Sequence, residues 1–121
     1  MKKVLVLISF LFAVQGLAKS QVSIETQDLL IKKLTNVFLK LPDGQKAKLR
    51  VTLRLADLHA ERGRLVAKQE LEKGCIECSN GEVDRIKALD YYKYALPKMT
   101  GDQKQGVLVQ MGHLYEMLGK N

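Results

Sequence analysis

The residues with the most direct chemical potential in this chain of 121 amino acids are Cys75 and Cys78, which stand three positions apart. A C-x-x-C pair occurs in thiol redox enzymes, in zinc sites, in haem attachment and in short disulfide loops. Haem attachment requires a histidine directly after the second cysteine, and residue 79 is a serine. Haem attachment is therefore excluded.

The surroundings of the two cysteines favour a structural disulfide. A thioredoxin-like site needs a strand before the motif and a sheet beneath it, and the sequence pattern indicates neither. A zinc site needs four ligands, and the only histidines are His59 and His113, which lie on different predicted helices without a ligand spacing. We therefore expect a Cys75–Cys78 disulfide and no metal or other cofactor. Thiol–disulfide exchange by the pair remains the alternative.

No other arrangement of side chains points to catalysis. Asp57 and Glu61 are four residues apart, but Arg54 and Arg64 flank them. The neighbouring positive charges keep both carboxylates ionised, which makes them poor proton donors. The sequence shows no Ser/His/Asp arrangement and no glycine-rich phosphate loop. We predict that the protein is not an enzyme.

The first 18 residues have the pattern of a secretory signal peptide. Two lysines follow Met1, an apolar run of about 11 residues extends to Val14, and small residues at Gly16 and Ala18 precede the predicted cleavage. That run is too short for a membrane-spanning helix, which needs about 20 residues. We expect a periplasmic or secreted protein that is not integral to the membrane after cleavage. Residues 19–121 then form a single helical domain.

The charge of the chain is positive but dispersed. The formal net charge is +7, and removal of the two lysines of the signal peptide leaves +5. Since basic residues are spread without a block, we expect a solvated, lysine-rich surface. Nucleic acid is not an expected partner for an exported protein. A basic protein that binds an anionic envelope surface is a second alternative.

Apolar residues repeat at helical spacing and never alternate for long, which predicts an all-α fold. The second predicted helix carries apolar residues on two faces, so we expect it to pack between neighbours. Ser79 and Glu82 have the spacing of a capping box at the start of the third helix. We predict four helices, at about residues 24–40, 45–73, 79–96 and 103–118.

Parts of the second, third and fourth helices resemble the tetratricopeptide repeat (TPR), a two-helix unit of about 34 residues. The pattern of its first helix is matched twice, and that of its second helix once. The matching segments are Thr52-x2-Leu55-Ala56-x2-His59, Leu108-x2-Met111-Gly112-x2-Tyr115 and Ala88-x3-Tyr92 followed by Ala95. Pro97 falls earlier than the proline of the family. The small residues Ala56 and Gly112 are 56 positions apart, which is about 22 more than the repeat length.

The resemblance implies an α-solenoid fragment that binds a protein partner and has no chemistry of its own. The implied binding surface is lined by exposed positions of the first helices, and Tyr91 and Tyr94 beside two lysines offer further contact area. The expected partner-binding residues are Arg54, His59, Gln110, His113, Tyr91 and Tyr94. The phenol rings could equally serve internal packing.

The fourth helix has no second helix after it in the repeat pattern, because the sequence ends at Asn121. We therefore expect one flank of this helix to be uncovered, with Val109 and Met117 on it. A homodimer through the fourth helix follows as a further expectation.

The signal-peptide interpretation predicts the mass of the exported product. Expression of the gene in a secretion-competent host should give a protein that begins at Lys19, measured as an intact mass. A mature product that retains Met1 would contradict the interpretation.

Overall fold

The computed structural model describes residues 23–76 and 78–119, and all its regular elements are helical. The predicted signal peptide lies outside these residues. The all-α prediction is confirmed, and the fourth helix starts two residues earlier than predicted. The elements are α1 (Ile24–Lys40), α2 (Lys46–Glu72), α3 (Glu82–Ala95), a 3₁₀ turn (Leu96–Lys98) and α4 (Gly101–Met117).

Local sequence signals fix both ends of α1. The Ser23 side chain accepts a hydrogen bond from the backbone N–H of Thr26 at 3.1 Å, which caps the helix start. The helix ends at Lys40, before Pro42, and Gly44 has a φ of +89° that favours glycine. A tight turn therefore sends the chain back into α2.

The long helix α2 packs between α1 and α3, as its two apolar faces predicted. Side-chain contacts join Asp28 to Arg62 and Lys48 to Phe38, so α1 and α2 run antiparallel. Leu55 faces the interior and is fully buried. The most extensive contact in the structure is the one between α2 and α3.

Two glycines set the distance between α2 and α3 where α3 begins. A Cβ atom on Gly81 would collide with the backbone of Gly63, and Gly81 has a φ of +69°. Both the close approach and the positive φ require glycine at position 81. Gly81 is the N-cap of α3, and no side chain caps the helix. The capping-box prediction is therefore wrong, because the Ser79 hydroxyl donates to Glu70 instead.

The main core lies between α2, α3 and α4. Ala56, which is fully buried, contributes from α2. The other buried members of this core are Ala88, Leu89, Tyr92, Ala95, Met99, Val107, Met111 and Leu114. The helix α4 thus buries one stripe against α3 and the end of the 3₁₀ turn, while its other faces meet no described element across a large area.

Gly81→Ala should lower the free energy of unfolding by at least about 2 kcal/mol, since it combines a left-handed backbone with a clash. Gly74 is the matched control, because its φ is +82° but no atom lies within 4 Å of the place that a Cβ would take there. Gly74→Ala should lower the free energy of unfolding by only about 1 kcal/mol, the cost of the left-handed backbone alone. Equal costs in urea unfolding would contradict the close approach of α2 and α3.

Candidate functional site

The charged edge of α2 consists of Arg54, Asp57, Glu61 and Arg64. Three of the predicted partner-binding residues are exposed on or near this edge. Arg54 lies on this edge, whereas Gln110 and His113 are on α4. A groove of about 460 Å³ separates α2 from α4, and Gln110, His113 and Met117 form its α4 side. The structure therefore brings Gln110 and His113 opposite the α2 edge, while Arg54 lines a second groove on the other side of that edge.

Apart from Ala60, the α2 side of the groove consists of charged side chains with internal partners. Glu61 pairs with Arg64 one turn along the helix, and this hydrogen bond lowers the pKa of Glu61. The carboxylate of Asp57 accepts a hydrogen bond from the Tyr92 hydroxyl. Burial, reinforced by that hydrogen bond, raises the pKa of Tyr92. Glu61 is thus held as an anion near neutral pH, which suits recognition better than proton donation.

The expectation that His59 is exposed is wrong, because α3 covers its ring. His59 is buried, and its Nδ1 atom lies 3.0 Å from Oδ1 of Asp84. The second oxygen of Asp84 accepts a hydrogen bond from Arg62 at 2.6 Å. Arg62 also donates to Asp28 on α1 at 2.6 Å. His59 therefore belongs to a polar network that joins three helices.

The two predicted contact tyrosines lie where α1 meets α3. Tyr91 stacks on the His59 ring, and Phe38 packs edge-on against both tyrosines with centroids 5.5 Å apart. Lys98 lies over the Tyr94 ring, 3.4 Å from its centroid. Both tyrosines are half-buried. Their rings contribute to helix packing, and only part of each surface is accessible.

The larger groove, between α1 and α2, was missed by sequence reasoning. It has a volume of about 650 Å³, and Gln27 and Leu30 line it from α1. Gln27 is three residues before Leu30 and seven before Leu34, so it shares one helical stripe with these apolar residues. A polar residue within an apolar stripe was the available signal.

Cys75 and Cys78 form a disulfide, with their Cα atoms 5.8 Å apart. Glu70 at the end of α2 holds the same loop from the other side. It accepts hydrogen bonds from the Ser79 hydroxyl and from the Asn80 N–H, and these bonds lower the pKa of Glu70. This contact is therefore retained above the carboxyl's unfolded-state pKa and weakens as the pH falls through the folded one.

The described parts of the chain, residues 23–76 and 78–119, contain no group of three or more His, Cys, Asp or Glu side chains arranged to hold a metal ion. Over the same residues, no helix has the length and hydropathy required to span a bilayer. No family model, curated protein or solved structure matches the chain. The assignment of function therefore depends on the geometry of the surface.

Asp84→Asn should lower the free energy of unfolding by about 2 to 4 kcal/mol, because it removes the charge that His59 and Arg62 share in a buried site. Asp90→Asn is the matched control, since Asp90 is exposed on the same helix. Urea unfolding at neutral pH measures the free energy of unfolding of both variants. An equal effect of the two substitutions would contradict the structural role of the network.

The disulfide should make the folded protein unreactive toward thiol reagents until it is reduced. Reduction should leave the helical circular dichroism nearly unchanged, because Glu70 also holds the loop. Cys75→Ser should cost at most about 2 kcal/mol, since the closed loop is short. Catalysis of insulin reduction by the protein, or stoichiometric zinc in the purified protein, would contradict a purely structural pair.

Proposed function

We propose that this chain is an exported helical module that binds a protein partner and has no catalytic activity of its own. The observation that carries the proposal is the difference between two positions of the repeat-like pattern. Ala56 on α2 is 0% exposed in the core against α3. Gly112, the matching position on α4, has no atom within 4 Å of the place that a Cβ would take.

The face of α4 around Gly112 has the properties of a helix-packing surface, but no described helix packs on it. A small residue allows a helix to approach closely, and apolar neighbours supply contact area. Leu108 is 41% exposed and Val109 is 57% exposed on this face. Met117, nearer the groove toward α2, is 58% exposed. Exposed apolar side chains grouped on one helix support a docking surface.

The polar residues beside this face support recognition by a protein. Gln110 and His113 are exposed between Val109 and Met117, so donors and acceptors border the apolar side chains. Protein interfaces commonly combine an apolar centre with a polar rim. A partner on α4 would also reach the charged edge of α2 across the groove between the two helices.

The mature protein should capture a partner from an extract of its native envelope when it is immobilised. The captured partner can then be purified, and its binding can be measured by titration. Val109→Lys should weaken this binding at least about tenfold, because it places a charge in the contact. Val83→Lys on α3 is the matched control, since Val83 is 63% exposed and undergoes the same chemical change. Equal effects of the two variants, or binding unchanged by Val109→Lys, would contradict docking on α4.

A second copy of the chain can use the same face, and we predict a concentration-dependent dimer through α4. Val109→Lys combined with Met117→Lys should shift the association to higher concentration, because both residues are exposed on this helix. Analytical ultracentrifugation measures the shift. A clean monomer at high micromolar concentration, with both substitutions silent, would contradict the dimer.

A further inference from the structure

The groove between α1 and α2 contains a polar atom without a partner. Gln27 is only 3% exposed, and its Oε1 atom has no hydrogen-bond partner among the described residues. Gln27 lines the groove together with the apolar side chains of Ile24, Leu30 and Leu65. The groove therefore combines apolar side chains with polar and charged ones, and one buried amide lies in its wall.

An unpaired buried carbonyl oxygen is costly to the folded protein, by about 1 to 3 kcal/mol. The last side-chain torsion of glutamine is soft, so rotation about it can turn the amide of Gln27 toward the groove. A ligand that offers an N–H group there would remove this cost. The site thus favours a ligand that places a hydrogen-bond donor beside apolar side chains.

The charges that line the groove select against a highly charged ligand. Arg54, Arg64 and Lys68 supply three positive charges, and Asp57, Glu61 and Glu72 supply three negative ones. The net formal charge of the lining is therefore zero, so a polyanion gains no net attraction from it. A polypeptide backbone is neutral and offers an N–H donor at every non-proline residue. Its alternating side chains can contact both the apolar and the charged groups of the lining.

We propose that this groove binds an extended peptide segment of the partner protein, with one backbone N–H of the segment donating to Oε1 of Gln27. The volume of about 650 Å³ lies within the range of ligand pockets, roughly 300 to 1,000 Å³, and accommodates a short segment. The inference deepens the proposed function and rests on it. The groove adds a second contact on the opposite side of the α2 edge from the groove next to α4.

The probe is a seven-residue peptide with capped ends, selected from a displayed random library against the mature protein. Gln27→Met should weaken its binding about tenfold, because methionine fills the same space without an acceptor. Stability should be equal or higher in this variant, since the unpaired oxygen is gone. Gln103→Met is the matched control and should leave binding unchanged, because Gln103 is exposed on α4 and lines neither groove.

Methylation of each backbone nitrogen of the peptide in turn locates the donor. One methylated position should weaken binding to the native protein about tenfold and should have no additional effect in Gln27→Met, since the hydrogen bond is already lost. Selection of no peptide, or binding that Gln27→Met leaves unchanged, would overturn the inference. Peptide binding that is lost only in Val109→Lys would also overturn it, while the proposed docking on α4 would stand.

Discussion

The carboxylate of Asp84 at the start of α3 accepts hydrogen bonds from His59 and Arg62, which lie on consecutive turns of α2. Arg62 continues the chain of contacts to Asp28 on α1, so one buried acid links three helices. Its position depends on Gly81, whose missing side chain lets the start of α3 approach Gly63 closely. Buried polar groups that are fully paired also disfavour alternative packings, because any shift leaves a charge unpaired.

This network makes α1, α2 and α3 a tightly connected unit to which α4 is attached along one stripe. The core residues of α4 face α3, and the remaining surface of the helix includes Gly112 and the exposed Val109. The two recognition surfaces that we propose lie on different parts of this arrangement. One lies on α4 and the other in the groove beside Gln27, and the charged edge of α2 separates them.

The helices themselves were predictable because helix periodicity, Pro42 and Gly44 are local signals. The sandwiched position of α2 also followed from its two apolar faces. Tertiary contacts overrode local signals elsewhere. The spacing of Ser79 and Glu82 predicted a capping box, but Glu70 competes for the Ser79 hydroxyl. The burial of His59 depends on Asp84, which is 25 residues away. No local pattern encodes that pairing, so the exposed position predicted for His59 was wrong.

The most direct test of this account is native-state hydrogen exchange of the protein at low micromolar concentration. The amides of α4 near Gly112 should open with a free energy about 2 kcal/mol lower than those of α2 near His59, because α4 is covered on one side only. Addition of a partner or a rise in concentration should narrow this difference. Equal protection of α2 and α4 in the isolated chain, independent of concentration, would show a self-contained four-helix bundle and contradict the account.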